Sequence, residues 1–262
     1  MTQATTSSQS TSPAASDLHA AEPRSEEERS EEPRSEEELR AIVAEQQDRL
    51  ESLSAHDVLA WAADTFGERW AVAASMQDGV LAHLAGEVAP GVPLLFLDTG
   101  YHFDETLQTR DALAARPGAN VLNLTPVQSV PEQDAEYGAR LFERDPDLCC
   151  ALRKTHPLDD ALDGYEAWAT GIRRVQAVTR ASTPVISFDE RRLLIKLAPL
   201  ASWTDEQVAD YVRDHDVVRN PLLDQGYASI GCWPCTRRVA AGEDPRAGRW
   251  SGTDKVECGI QL

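Results

Sequence analysis

The stretch Arg69–Gly100, RWAVAASMQDGVLAHLAGEVAPGVPLLFLDTG, decides the fold. A β-branched and alanine-rich run, RWAVAAS, breaks at a Ser/Asp/Gly turn and passes into VLAHLAGEV, whose apolar spacing is helical; PLLFLD then starts a second strand. The pattern continues on both sides. Before it lies a helix, HDVLAWAADTF; after it come a helix, FDETLQTRDALAA, and a strand, NVLNL. Farther on, EAWATG, PVISFD and LLIKLAP read as strands, and WTDEQVADYVRDHD as an amphipathic helix with Thr204 as its N-cap. Strands and helices taking turns at this interval predict an α/β fold: a doubly wound, mostly parallel sheet with helices on both faces. The last forty or so residues, rich in Gly, Pro, Cys and Arg, read as an irregular segment folded over that sheet.

Ligands of a doubly wound sheet bind beyond the carboxyl ends of the strands, with anions at the amino end of the following helix. Two turns fit. Ser75, Gln77, Asp78 and Gly79 occupy the first, and Asp98, Thr99 and Gly100 the second. Neither is a dinucleotide fingerprint or a P-loop, and an ordinary βα turn uses the same residue types to cap and bend.

The chain has 262 residues, 42% of them hydrophobic, enough to fill one substantial α/β core. It opens without an apolar leader and has no long apolar run, so the expectation is a soluble, cytoplasmic protein with no membrane partner. Residues 1–36 are rich in Ser and Glu and repeat PRSEEE at Pro23–Glu28 and Pro33–Glu38. They are expected to form a disordered acidic tail, followed by an α/β domain over 37–240 and a mobile C-terminal segment over 241–262. A net charge of −19 excludes broad binding to nucleic acid. The basic residues are concentrated late: residues 151–262 carry 15 basic against 16 acidic side chains, residues 41–150 only 6 against 18. A small anion held by a few local arginines remains compatible with that balance.

Five cysteines, an odd number, argue for ligation or redox chemistry over a disulfide framework. Cys149 and Cys150 are adjacent, and Cys232 and Cys235 form a CxxC whose turn Gly231 and Pro234 shape. Four thiolates suit tetrahedral zinc or an iron–sulfur cube. The vicinal pair favours the cluster, because neighbouring thiolates can each bind a different iron while making a strained disulfide. Cys258 is left over, close behind Arg246, Arg249 and Lys255. It is either an inert terminal thiol or a nucleophile whose thiolate those cations favour.

Taken together, CCALRKTHPL, WATGIRRVQAVTRA, NPLLDQGYASIGCWPCT and GRWSGTDKVECGIQL resemble the assimilatory adenylyl-sulfate (APS) reductases, the iron–sulfur branch of the PAPS/APS reductase family. The likeness runs from about residue 45 to the end. The resemblance implies an adenine nucleotide alpha hydrolase-like fold and thiol-dependent reduction of APS to sulfite and AMP in sulfate assimilation and cysteine biosynthesis. It further implies Cys258 as the nucleophile that becomes an S-sulfocysteine, and thioredoxin or a similar dithiol as reductant. A [4Fe-4S] cluster on Cys149, Cys150, Cys232 and Cys235 would have a structural and electrostatic part. Lys154 would lie between cluster and substrate, Arg246 and Arg249 would clamp the phosphosulfate, and Arg180, Gly171 and the two turns would contact the nucleotide. Where family members commonly end ECGLH or ECGIH, this chain has Gln261, which can donate a hydrogen bond but carries no charge. The rival readings are a PAPS or dual-specificity reductase and a non-catalytic iron–sulfur redox sensor; the sequence leaves oligomeric state open, a homo-oligomer included.

Overall fold

The structure is a computed structural model that describes residues 32–261. The expected tail therefore lies outside the described residues up to position 31. The described body starts earlier than the sequence reading placed it, because Arg34 donates from its backbone N–H (2.8 Å) and its guanidinium (2.5 Å) to the buried carboxylate of Glu166. Ser35 then caps α1 (Glu36–Glu51) in a reciprocal capping box with Glu38.

α2 (Ala55–Phe66), β1 (Trp70–Ala73), α3 (Val80–Val88), β2 (Pro93–Leu97), α4 (Asp104–Ala114) and β3 (Asn120–Leu124) follow as expected. Next come α5 (Val130–Tyr137), α6 (Leu141–Arg144), α7 (Pro146–Cys150) and α8 (His156–Ala161), with a π-helical turn, Ala151–Thr155, between the last two. β4 (Ala167–Thr170), β5 (Ile186–Asp189), β6 (Leu194–Leu197) and α9 (Asp205–Asp214) complete the regular elements, α9 capped by Thr204.

The strands form one sheet in the order β3-β2-β1-β4-β6-β5. Every pairing is parallel except that of the edge strand β5 with β6. Side chains alternate across it. Trp70 and Val72 of β1 and Ala167 and Ala169 of β4 enter the larger apolar cluster, with α1, α2 and α3. Ala71 and Trp168 enter the smaller one on the opposite face, with Leu158 of α8. Both faces are thus covered, as a doubly wound sheet requires. The order in which strands are added reverses between the parallel neighbours β1 and β4, where Ala73 lies in register with Thr170, and a crevice opens at the carboxyl ends of these two strands.

Among the described residues no helix is long and apolar enough to cross a membrane. The C-terminal segment is irregular, as expected. It packs against the body, with Ile260 seated on the smaller apolar cluster.

Candidate active site

A cavity of about 480 Å³ occupies the crevice. Ala73, Ala74 and Ser75 at the end of β1 and Thr170 and Gly171 at the end of β4 form its floor, while Leu81 and Ala82 of α3 and Val208, Ala209 and Val212 of α9 supply an apolar wall. The remaining wall is cationic. Lys154, Arg180, Arg246 and Arg249 reach it from three separate parts of the chain, and Cys258 and Gln261 arrive on the C-terminal segment.

Of the first predicted turn, Ser75, Gln77 and Asp78 line this cavity. Asn220 stitches the turn in place: its backbone N–H donates to the Gln77 carbonyl (3.1 Å) and its side-chain amide to the Met76 carbonyl (3.1 Å). Gly79 stands behind, at the start of α3, its N–H bound to the Val218 carbonyl at 2.8 Å. Asp98, Thr99 and Gly100 are not brought to the cavity. Asp98 accepts from the Gly100 N–H (3.1 Å) and the Asn123 amide (3.3 Å), and the Thr99 carbonyl accepts from Arg153.

That second turn faces the cysteines instead. Cys149, Cys150, Cys232 and Cys235 line one small cavity with Tyr101, Phe142, Lys154 and Trp250, and all four are free thiols. The Thr99 hydroxyl lies 3.3 Å from the Cys232 sulfur. Asp145 caps α7 by accepting from the Leu148 N–H at 2.9 Å, which presents the vicinal pair at the end of that helix. The donor set fits an iron–sulfur cluster. Four free thiols lining one cavity offer the donor number and type that such a cluster, or a tetrahedral zinc ion, requires. Burial and the neighbouring sulfurs of Cys232 and Cys235 push the Cys149 thiol up to about 12, as befits sulfurs that ionise only against a metal.

The π-helical turn links the two cavities. Its wider winding sends Arg153 toward the Thr99 and Gln128 carbonyls and the Gln133 side chain. Lys154 comes to lie in the walls of both cavities at once. Burial works against its ammonium, but the sulfurs of Cys232, Cys258 and Cys150 outweigh that and hold it charged above its ordinary range. Trp250 is the other residue common to both walls. Its ring, 4% exposed, has Arg249, Lys255 and Arg246 at 4.5, 5.6 and 5.8 Å from its centroid.

Arg249 lies across the backbone of Gly231, where a β-carbon would stand 2.2 Å from one guanidinium nitrogen. Its Nη1 donates to the Ser229 hydroxyl and the Ile230 carbonyl, both at 3.3 Å, and its buried Nε has no partner. Arg246 is pulled down to about 10, first by burial and then by Arg180, and so stays charged at neutral pH in a site short of negative charge. Such a site gains from an anion. The Cys258 thiol is held well below its ordinary range. A hydrogen bond with Cys150 contributes most, burial opposes it, and Lys154, the Ile260 N–H and Arg249 add to it independently of Cys150. Gln261 donates to the Thr170 hydroxyl at 3.2 Å, leaving its buried carbonyl oxygen unpartnered.

Several residues of the site went unread in the sequence, Arg173, Asp205 and Arg219 among them. Trp250 carried no signal beyond its place among arginines. Glu257 is 7% exposed and bound by Arg180 and Arg246; the signal available was a lone acid between an apolar residue and the candidate nucleophile.

The model of the phosphoadenosine phosphosulfate reductase domain family matches residues 69–238. Over 223 residues the chain is 57% identical to the adenosine 5'-phosphosulfate reductase of Streptomyces coelicolor, covering 85% of this chain and 94% of that one. To the adenosine 5'-phosphosulfate reductase of Rhodococcus erythropolis it is 52% identical over 233 residues, with the same coverage of 85% and 94%. A solved phosphoadenylyl-sulfate reductase from Candida auris superposes with a TM-score of 0.66 at 32% identity, covering 75% of this chain and 96% of that one. With fold, motifs and relatives in agreement, the chain belongs to the phosphoadenosine phosphosulfate reductase family, on its adenosine 5'-phosphosulfate reductase branch.

Proposed function

We propose that the protein reduces APS to sulfite and AMP through Cys258, with thioredoxin or a similar dithiol as reductant, in the cytoplasmic assimilation of sulfate toward cysteine. One observation carries the reading: a thiol from the chain's end and four cations from three distant segments meet on one cavity at the switch point of the sheet. The Cys258 thiolate attacks the sulfate sulfur of APS. The bond from that sulfur to the bridging oxygen breaks, the electron pair leaves with AMP, and Cys258 carries an S-sulfo group. Lys154, Arg246 and Arg249 bind the oxyanions on which charge gathers, and Arg180 joins them at the phosphate. A thiolate of the dithiol then attacks the Cys258 sulfur; sulfite departs with the pair, and the donor's second thiol frees Cys258 by closing the donor's disulfide. Sulfur falls from the sulfate to the sulfite level as the dithiol loses two electrons.

Cys149, Cys150, Cys232 and Cys235 would hold the [4Fe-4S] cluster. When bound, it would supply a cross-link between α7 and the CxxC turn and a fixed electrostatic field beside Lys154. For the choice of APS over PAPS, the support is the likeness to two relatives named adenosine 5'-phosphosulfate reductase, at 57% and 52% identity.

Intact mass after mixing with APS and no reductant tests the reading. Wild type should gain one SO₃ group on Cys258, and Cys258→Ser none, with its brown chromophore retained. Sulfite formation by Cys258→Ser at the wild-type rate would overturn the mechanism; neither adduct nor sulfite from wild type would favour a non-catalytic sensor, and strong preference for PAPS would overturn the substrate.

A further inference from the structure

Glu257 stands between the nucleophile and the anion site. Its two oxygens accept from both forks of Arg180 (Nε to Oε1 2.7 Å, Nη2 to Oε2 2.8 Å), Oε2 also accepts from Arg246 at 3.1 Å, and Oε1 from the Thr179 hydroxyl at 3.3 Å. The Arg246 guanidinium further donates to the Val256 carbonyl at 3.2 Å. The arginine side chains are each 12% exposed and the carboxylate side chain 6%. Such a fork fixes geometry as well as charge, because planar guanidinium and carboxylate meet in one relative orientation. Cys258 follows by one residue, about 3.8 Å along the chain. Its height over the cavity therefore depends on where two substrate-facing arginines hold the preceding side chain.

Two features separate this contact from an ordinary surface pin. Other ties of the segment, such as Lys255 to Asp147 and Gln261 to Thr170, use residues outside the cation group. And the cavity keeps its volume of about 480 Å³ with Glu257 in place, within the ordinary range of ligand pockets, so the carboxylate need not leave for substrate to enter. We infer that Glu257 is a positioning residue: by binding Arg180 and Arg246 it sets the Cys258 sulfur in line with the anion those arginines hold. The inference rests on Cys258 being the nucleophile. It has a particular signature. Loss of the carboxylate frees positive charge, so anion binding holds or strengthens, while transfer to Cys258, sensitive to misplacement of the attacking atom, slows.

The test compares wild type, Glu257→Gln and Glu257→Asp as full chains purified with their chromophore. AMP affinity is measured by calorimetry, and single-turnover SO₃ transfer to Cys258 by quenched-flow mass spectrometry. Glu257→Gln should transfer about 100-fold more slowly, the order of loss for a misplacement of about 1 Å. Its AMP affinity should equal or exceed that of wild type, and Glu257→Asp, keeping the charge on a shorter arm, should recover part of the rate. Transfer at the wild-type rate in Glu257→Gln overturns the inference, as does AMP affinity lost in proportion to rate, which would mean a merely structural role. If Glu257→Gln does not fold, Glu257→Asp decides alone: a slowed transfer with AMP affinity kept supports the inference, and unchanged transfer overturns it. Absence of the SO₃ adduct in wild type itself would instead sink the nucleophile assignment.

Discussion

Gly231→Ala should weaken AMP binding without unfolding the protein. The added β-carbon would lie 2.2 Å from the Arg249 Nη2 and 2.6 Å from its Cζ, far inside contact, so one of the two must move. What it meets is the free end of a flexible side chain, and Gly231 does not have a positive φ, so the backbone can keep its course while the guanidinium is expelled. Expulsion removes Arg249 from Trp250, 4.5 Å away, and from two long hydrogen bonds of 3.3 Å. Neither loss costs much stability, since a cation–π contact is worth about 0.5–2 kcal/mol and the exit leads toward solvent. The cost to an anion is larger. A hydrogen bond to a charged group contributes about 1.5–3 kcal/mol, and at 1.4 kcal/mol per factor of ten its loss weakens AMP by roughly 10- to 100-fold. Calorimetry on wild type, Gly231→Ala, Arg249→Ala and the double variant closes a cycle. If the methyl acts through Arg249, the double variant binds AMP no worse than Arg249→Ala alone. Wild-type affinity in Gly231→Ala, or two losses that add in full, would refute the reasoning; absorbance of the chromophore checks that the cluster proposed on neighbouring Cys232 is kept.

Gln261→His should introduce a pH dependence that the wild type lacks. Below about pH 6.5 an imidazolium there adds a charge-assisted donor to the anion site, so the variant-to-wild-type ratio of AMP affinity should rise about fivefold between pH 8 and 5.5; taking the ratio cancels the titration of AMP itself, and a flat ratio would show that this side chain does not face the anion. Acid should release the C-terminal segment through Glu257. Burial works against its charge, yet the Arg180 hydrogen bonds and the charges of Arg180 and Arg246 outweigh that and hold the carboxyl below its ordinary 4.5. A depressed acid contributes stability that is fully present above the unfolded value and lost as pH falls through the lower folded one. Amide exchange over residues 255–261, corrected for intrinsic rate, should be constant from pH 7 to about 5 and rise only below about 4.5. In Glu257→Gln it should already be fast at pH 7, and a wild-type rise centred near neutrality would contradict the ion-pair account.

What could be read from the sequence is what local chemistry determines. NVLNL is the strand Asn120–Leu124 residue for residue, and Thr204 caps α9, because side-chain period and capping act within a few residues. The four cysteines of the two close pairs line one cavity, because α7 and the CxxC turn meet there. The antiparallel direction of β5 was not legible, since its run of residues reads the same either way. Of two similar βα turns, only the first faces the crevice; Arg153, delivered by the π-helical turn, binds the second on the cysteine side. Gly231 looked like a turn residue, and its stronger reason is the guanidinium of Arg249, eighteen positions later. Glu257 finds its partner 77 residues upstream, at a distance no spacing rule covers.

The same separation of local from distant would let so acidic a chain hold the anion proposed as its substrate. A net charge of −19 sets the far field, which large polyanions feel along their whole length. Screening reduces that field within about 8 Å at physiological salt. A nucleotide inside the crevice therefore responds mainly to its walls. There Lys154, Arg173, Arg180, Arg219, Arg246 and Arg249 stand against Asp78, Asp205, the Glu257 carboxylate that Arg180 and Arg246 bind, and a thiol held toward its thiolate form. Six cations against these four negative groups leave a positive surplus, suited to the phosphosulfate of the proposed substrate. On the proposed function, a preference for small anions over large ones would follow from where the charges sit, although their sum points the other way.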